Sequence, residues 1–136
     1  MIELHYADQN DYVFLKENDS HIGNEVLKKK INAKEIIVLK ENGKTIGWLR
    51  YGLLWDIIPF MNMLQIKEHY RRKGLGKQLV LFWENEMRKC GHKLVMTSSQ
   101  SNEEGQHFYR ALDYKDAGSL LFPKEPLEII FIKYLL

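Results

Sequence analysis

The stretch HYRRKGLGKQLV, residues 69 to 80, holds the residues with the clearest chemical potential. It sets four cations around two glycines, directly before an apolar run: Arg71, Arg72, Lys73, Gly74, Gly76 and Lys77. The apolar period changes here from about 2 to about 3.6, so a strand should end before this stretch and a helix should begin within it. A helix N-terminus has unpaired N–H groups and a partial positive charge. Glycines let a ligand approach that backbone closely, so the stretch is typical of a phosphate site.

Two common phosphate loops do not fit these residues. A P-loop needs Ser or Thr after its lysine, and here Gln78 follows Lys77. A dinucleotide-binding fingerprint needs a third glycine, and Leu79 occupies that position. The stretch therefore belongs to another kind of phosphate-binding turn.

Composition limits the partners of the protein. The chain has 136 residues, of which 45% are hydrophobic and 28% charged, and a net charge of +2. These values predict a single globular domain over residues 1–136. The positive run is a local feature, so we expect no nucleic-acid partner, although a binder that uses Arg71–Lys77 remains an alternative. No apolar run reaches membrane-spanning length, so no membrane partner is expected, and the single cysteine fits a cytoplasmic protein.

The remaining patterns predict the elements that position this stretch. Alternation indicates a strand at 2–6, and Asp8 and Asn10 offer caps for a first helix; a second helix follows at 20–31. Asn42-Gly43 predicts a hairpin turn, and residues 56–59 should break the next strand, with Pro59 ending it or its tail. A strand should follow at 60–66, then a helix that stops at Gly91 and a strand at 93–99. Ser101 and Glu104 have the spacing of a capping box, so another helix should begin near 102, and two strands close the chain. The order β-α-α-β-β-β-α-β-α-β-β indicates an α/β (α+β) domain with a mainly antiparallel sheet.

The pattern Arg71-x-x-Gly74-x-Gly76 resembles the acyl-CoA-binding signature R/Q-x-x-G-x-G/A of the GNAT superfamily of N-acetyltransferases. Residues 102–114, NEEGQHFYRALDY, resemble a later segment of that family, and the element order agrees along the whole chain. The sequence departs from the family where Asp113 and Gly105 replace a frequent Gly and a frequent Ala. Asp tolerates the left-handed conformation of a helix cap. Gly105 either weakens the helix or makes room for the cofactor.

The resemblance implies that an amine attacks the thioester of acetyl-CoA directly in a ternary complex, with CoA as the product. It also implies that backbone groups of Leu64 and Ile66 pair with the pantetheine arm, and that Asn102 is either a pantetheine-side contact or part of a helix cap. An N–H near Ile66 is the candidate for stabilising the thioester oxygen. The pyrophosphate would lie against backbone amides of one continuous segment: Arg71, Arg72, Lys73, Gly74, Leu75, Gly76 and Lys77.

Two catalytic residues are expected. Tyr109 matches the family's general acid, with a packing role as the alternative. The acceptor amine must lose a proton, and Asp56 is the candidate base; Glu68 and Glu103 are its rivals. Asp56 stands between two aromatic residues, Trp55 and Phe60, that either line an acceptor pocket or belong to the core.

Other chemistries receive no support from the sequence. Cys90 falls on the apolar stripe of the predicted helix, so it is a poor nucleophile, and the histidines lack metal-ligand spacing. A CoA-binding regulatory module of the same fold remains the alternative to an enzyme. We expect a cationic primary amine as acceptor, and small amines, polyamines, antibiotics and proteins all fit that description. A homodimer is compatible with the sequence.

Overall fold

The computed structural model describes all residues, Met1–Leu136, in seven strands and four α-helices. The strands are β1 (Ile2–Tyr6), β2 (Ile36–Glu41), β3 (Lys44–Leu54), β4 (Ile58–Ile66), β5 (Leu94–Gln100), β6 (Lys115–Leu120) and β7 (Glu128–Tyr134). The helices are α1 (Tyr12–Asn18), α2 (Asn24–Asn32), α3 (Leu75–Lys89) and α4 (Gly105–Ala111). The sheet order is β1-β2-β3-β4-β5-β7-β6, mostly antiparallel, with β4 and β5 parallel. The predicted fold class and element order are confirmed.

Two hairpins have two-residue turns of the same kind. Asn42 and Gly43 have φ of 51° and 81°, as the sequence predicted. Trp55 and Asp56 have φ of 54° and 65°, and the Ile57 N–H donates to the Leu54 carbonyl at 3.1 Å. The prediction that Pro59 ends a strand is wrong, because the Trp55–Asp56 turn reverses the chain and Pro59 is the second residue of β4. A proline is tolerated near the start of a strand.

The chain divides into two compact units, and the first comprises Met1–Tyr51 and Met63–Trp83. Its core contains the residue that follows β1 and buried residues of α1, α2, β2 and β3: Ala7, Leu15, Leu27, Ile31, Ile36, Val38 and Trp48. Arg50 of β3 forms a buried ion pair with Asp19 at 2.9 Å. Such a pair is costly to break by removing one partner, because the other charge is then left buried.

The second unit comprises Gly52–Asn62 and Glu84–Leu136. Its interior holds a charged group from α3, since Glu84 is fully buried. The Glu84 carboxylate accepts the Tyr114 hydroxyl and the Lys133 ammonium, each at 2.9 Å. This network links Tyr114, the residue before β6, to Lys133 of β7 through Glu84 of α3. The prediction of one domain over the whole chain stays a prediction.

Helices α3 and α4 end in the same way. Gly91 has φ of 89°, and the Gly91 and His92 N–H groups donate to Arg88 and Met87. Asp113 has φ of 71°, and the Asp113 and Tyr114 N–H groups donate to Arg110 and Tyr109. Both are Schellman caps, so Asp113 takes the left-handed position expected for it.

Cys90 is exposed, and its predicted place on the apolar stripe of α3 is wrong. The helix ends one residue earlier, at Lys89, so the stripe of α3 stops at Met87.

No helix combines the length and the apolar character needed to cross a membrane.

Candidate active site

The start of α3 leaves backbone donors open. The first carbonyl of its hydrogen-bond ladder belongs to Gly74 and accepts the Gln78 N–H at 3.1 Å. The N–H groups of Leu75, Gly76 and Lys77 therefore have no acceptor within the helix. Gly74 has φ of 79°, and a Cβ on it would meet nothing within 4 Å. This backbone conformation favours glycine, and the space beside Gly74 is open.

Four exposed cations surround these donors: Arg71, Arg72, Lys73 and Lys77. None of the four takes part in the ion pairs of the structure, which all involve other residues. Lys73 lies over the Tyr70 ring at 5.7 Å, and Arg72 has φ of 64°. Open N–H groups and unpaired cations together fit a diphosphate group. We call residues 71–77 the cradle.

The end of β4 presents one free backbone edge. The Lys67 N–H donates to the Ile46 carbonyl of β3 at 2.8 Å. Because backbone groups alternate along a strand, those of Leu64 and Ile66 point to the opposite edge. The ladder between β4 and β5 pairs only Phe60 and Met61 of β4 and does not extend to Leu64 or Ile66. The Ile66 carbonyl on this edge accepts Arg71 Nε at 2.8 Å. The Ile66 N–H and the backbone groups of Leu64 can pair with an extended ligand arm, as an added strand would.

Gly47 of β3 supports that edge and was missed in the sequence. A Cβ on Gly47 would lie 2.6 Å from Ile66 Cδ1 and 3.0 Å from the Gln65 carbonyl oxygen. A larger residue at this position would require Ile66 Cδ1 to move and the Gln65 carbonyl to shift away from β3. A glycine inside a strand-like run is a known sign of close backbone approach, and this sign was present in the sequence.

Tyr109 lies on the buried side of α4, in the second unit. Its hydroxyl is 3.9 Å from Met61 Sδ, and its ring packs on Tyr114 and Phe131 at 5.7 and 5.9 Å. Burial raises the pKa of Tyr109 to about 12; a hydrogen bond with the Thr97 side chain offsets part of the rise and the charge of Glu103 adds to it. The hydroxyl is therefore protonated at neutral pH.

This pKa changes the energetics of proton donation. A thiolate with a pKa of about 8.5 takes a proton from a group near 12 at a cost of about 5 kcal/mol. An unperturbed tyrosine would require about 2 kcal/mol. Tyr109 can serve as an acid only if hydrogen bonding in the loaded site stabilises its anion. Thr97, whose hydroxyl donates to the Met61 carbonyl at 3.0 Å, is the polar neighbour that sequence reasoning missed.

The turn before α4 differs from its prediction. The helix begins at Gly105, and Glu104 at its N-cap position makes no side-chain cap bond. The predicted capping box of Ser101 and Glu104 is therefore wrong. Glu103 instead accepts the Gln100 N–H at 3.2 Å, which holds the turn without a helical cap. Asn102 is exposed and lies outside the helix, so of its two expected roles the helix cap does not apply.

Gly105 packs against β5. A Cβ on Gly105 would lie 3.0 Å from Ser99 Oγ and 3.8 Å from Tyr109 Cε2. The glycine therefore lets the first turn of α4 approach β5 beside Tyr109. Close packing against β5 therefore explains the glycine at position 105, whose role the sequence left open.

Asp56 does not lie beside Tyr109. It is exposed in the turn between β3 and β4, next to Trp55, whose side chain is 76% exposed. From Ile58 to Met61, the neighbour of Tyr109, β4 spans about 10 Å, and Asp56 lies beyond Ile58. Trp55 is thus a surface residue, while Phe60 is half-buried in β4. Of the three candidate carboxylates, Glu103 is the one whose charge acts on Tyr109.

No group of three or more His, Cys, Asp or Glu residues is arranged to hold a metal ion.

The chain was compared with known families, curated sequences and solved structures. A family model described as Acetyltransferase (GNAT) family matches residues 2–114. A search of curated protein sequences gave no significant match.

Solved structures share the fold along nearly the whole chain. Ard1 from Thermoplasma volcanium is 12% identical with a TM-score of 0.84, over 99% of this chain and 98% of that chain. The NatC complex bound to Gag peptide and CoA is 15% identical with a TM-score of 0.82, over 99% of both chains. A ribosomal-protein-alanine N-acetyltransferase from Brucella melitensis is 14% identical with a TM-score of 0.81, over 98% of this chain and 99% of that chain.

Proposed function

Because the chain belongs to the GNAT family of acetyltransferases, we propose that it moves the acetyl group of acetyl-CoA directly to a primary amine within a ternary complex. The observation that carries the proposal is the cradle, where open N–H groups of α3 and four cations that form no ion pair adjoin the edge of β4. These features suit a ligand with a diphosphate at one end and an extended amide arm.

The chain's own residues have three tasks in this reaction. Backbone amides of residues 71–77 hold the diphosphate, while Leu64 and Ile66 pair with the pantetheine arm. An N–H near Ile66 donates to the thioester oxygen as negative charge develops there. Asn102 supplies a contact on the pantetheine side.

Proton transfers complete the reaction. The C–N bond forms as the C–S bond breaks, and Tyr109 gives its proton to the departing thiolate. The amine arrives as an ammonium ion and loses two protons in all. One goes to a carboxylate or water before the attack, and the second leaves the nitrogen as the amide forms and restores the Tyr109 hydroxyl through solvent, so one proton is released for each acetyl group transferred. Because Asp56 is remote from Met61, Glu103 is the first carboxylate to test, and Asp56 is the second.

We propose the α-amine of a peptide or protein as the acceptor. Two structures of similar fold are named for peptide or protein acceptors: NatC with a Gag peptide and the ribosomal-protein-alanine enzyme. Chemistry supports the same choice. At pH 7 an α-amine is made neutral at a cost of about 1 kcal/mol, whereas a lysine side chain costs about 5 kcal/mol. The surroundings of Tyr109 offer no strong base, so the less basic amine suits them better.

Three matched peptides test the function. The first has a free α-amine and no lysine, the second has a blocked α-amine and one lysine, and the third has neither amine. With acetyl-CoA, we expect thiol release and acetylated product from the first peptide only. Turnover of the second peptide alone would refute the α-amine proposal while keeping the transferase. Acetyl-CoA binding without turnover of any amine would favour the regulatory module instead.

One acceptor variant adds to this test. Glu103→Gln should raise the acceptor KM or lower kcat and shift the acid limb of the pH–rate profile, with the acetyl-CoA KM almost unchanged. Asp56→Asn tests the second candidate base, and Glu125→Gln is the matched control for loss of one exposed carboxylate. A cytoplasmic location and a homodimer remain predictions from the sequence.

A further inference from the structure

The Arg71 side chain is bonded to the protein's own backbone. Its Nε donates to the Ile66 carbonyl at 2.8 Å. The residues between them form a compact 3-10 turn, in which the Tyr70 N–H donates to Lys67 at 2.9 Å. The guanidinium therefore closes a short loop back onto the last residue of β4. Its three fellow cations, Arg72, Lys73 and Lys77, have no such bond.

One peptide unit is held at both ends by this arrangement. The Ile66 carbonyl and the Lys67 N–H belong to the same planar peptide. Its oxygen accepts Arg71 Nε, and its N–H donates to the Ile46 carbonyl of β3 at 2.8 Å. Gly47 of β3 leaves room for Gln65 and Ile66 to lie close against that strand. The free edge of β4 is thus immobilised at the point where its Ile66 N–H is presented.

We infer that Arg71 is a positioning residue for the acyl donor, acting through the Ile66 carbonyl and not through its charge on the diphosphate. The inference rests on the proposed function, since it concerns the edge proposed to hold the pantetheine arm. It predicts that the ε N–H of residue 71 matters and that its positive charge is dispensable. Arg72, Lys73 and Lys77 would supply the charge.

Two substitutions separate the donor from the charge. In Arg71→Gln the side-chain Nε2 stands the same number of bonds from Cα as Arg Nε, so it can donate to the same carbonyl without charge. In Arg71→Met the length is kept and both the donor and the charge are lost. Lys73→Met is the matched control, which removes a cradle cation that has no backbone bond.

The donors are acetyl-CoA and S-acetylpantetheine, which lacks the diphosphate, and the measurement is the dissociation constant without an acceptor. Arg71→Met should weaken both donors about five-fold, the effect of one ordinary hydrogen bond. Arg71→Gln should stay within about two-fold of the wild type for both, since its neutral donor keeps the bond. Lys73→Met should weaken acetyl-CoA only.

Hydrogen exchange of the free protein provides a second measurement. The Lys67 amide should exchange faster in Arg71→Met than in the wild type, and Arg71→Gln should restore slow exchange. The inference is overturned if Arg71→Gln and Arg71→Met weaken acetyl-CoA equally and leave S-acetylpantetheine unchanged. It is also overturned if Lys67 exchange is the same in all three proteins. Failure of the wild type to bind acetyl-CoA would instead overturn the proposed function.

Discussion

The cradle at the start of α3 and the surroundings of Tyr109 consist of different chemical groups. The cradle consists of backbone N–H groups and exposed cations, and its geometry depends on left-handed residues such as Arg72 and Gly74. Tyr109 is surrounded by side chains, and 8% of it is exposed. A backbone site tolerates many side chains but few backbone changes. A buried proton donor has the reverse sensitivity, because its pKa is set by what packs around it.

Replacing the Tyr109 hydroxyl gives the largest expected effect. Tyr109→Phe should lower kcat by roughly 10²–10⁴ because the thiolate loses its acid. The dissociation constant of acetyl-CoA should hardly change, since the cradle is intact. Steady-state kinetics with an acceptor, together with titration of acetyl-CoA, measure both quantities. Full kcat in the variant would assign Tyr109 to packing and the proton to water.

At alkaline pH, the free energy of unfolding should depend on the ionisation of the buried Tyr109. The folded pKa of Tyr109 is raised to about 12 from 10.0, so its stabilising contribution is complete below pH 10 and is lost as pH rises towards 12. The loss reaches about 2.7 kcal/mol for this one group. Tyr114, whose pKa is also raised by burial and then by Glu84, adds to the same slope.

Urea unfolding of the wild type and Tyr109→Phe at pH 9, 10 and 11 measures this contribution. The variant should lose less unfolding free energy than the wild type above pH 10. Parallel losses in the two proteins would mean that the Tyr109 hydroxyl ionises as easily in the folded as in the unfolded chain.

A methyl group at Gly105 probes the packing beside Tyr109. Gly105→Ala gains up to about 1 kcal/mol of helix propensity, but its Cβ would lie 3.0 Å from Ser99 Oγ. Overpacking costs about 1–3 kcal/mol, so the unfolding free energy should fall by about 1 kcal/mol. Combined with Ser99→Ala, which removes that oxygen, the same change should cost less. A double-mutant cycle measured by urea unfolding gives the coupling, expected at about 0.5 kcal/mol or more. Strict additivity would show that the two residues do not meet.

Substitutions in the C-terminal caps of α3 and α4 should change stability least. The two caps have the same geometry, so each serves as the control for the other. Asp113→Gly should stabilise the protein by about 0.5 kcal/mol, since glycine relieves the left-handed strain but loses more chain entropy on folding. Gly91→Asp places the reverse change in the matching cap of α3 and should destabilise by a similar amount. Opposite signs in thermal unfolding support the account, and equal signs contradict it.

The same contrast explains what the sequence could predict. The cradle follows from a local pattern of Arg71, Gly74 and Gly76 before an apolar period, so its position at the start of α3 was predictable. The fold class and element order were predictable because apolar periods and turn residues agree along the chain. Asp56 was predicted as the base because of its place in the sequence. Its distance from Met61 results from the turn at Trp55 and Asp56, which the sequence does not indicate because the turn lacks the usual glycine.

Tertiary packing accounts for the remaining differences. The Thr97 side chain, the crowding at Gly105 and the close approach at Gly47 each depend on two segments that meet only in the folded chain. The Arg71 bond to Ile66 also escaped prediction, because the sequence presents Arg71 as one cation among four. Neither composition nor period distinguishes a cation that is bonded to the backbone from one that is free.

The most direct test of the central claim is the change in melting temperature caused by acetyl-CoA in three proteins: the wild type, Gly76→Asp and Gly23→Asp. At 100 times its dissociation constant, acetyl-CoA should stabilise the wild type by about 2.7 kcal/mol. Gly76→Asp should abolish the shift, because a side chain and a negative charge enter the cradle. Gly23→Asp adds the same charge where a Cβ meets nothing within 4 Å, and it should keep the shift. A wild-type melting temperature unchanged by acetyl-CoA, or an equal shift in all three proteins, would contradict the account.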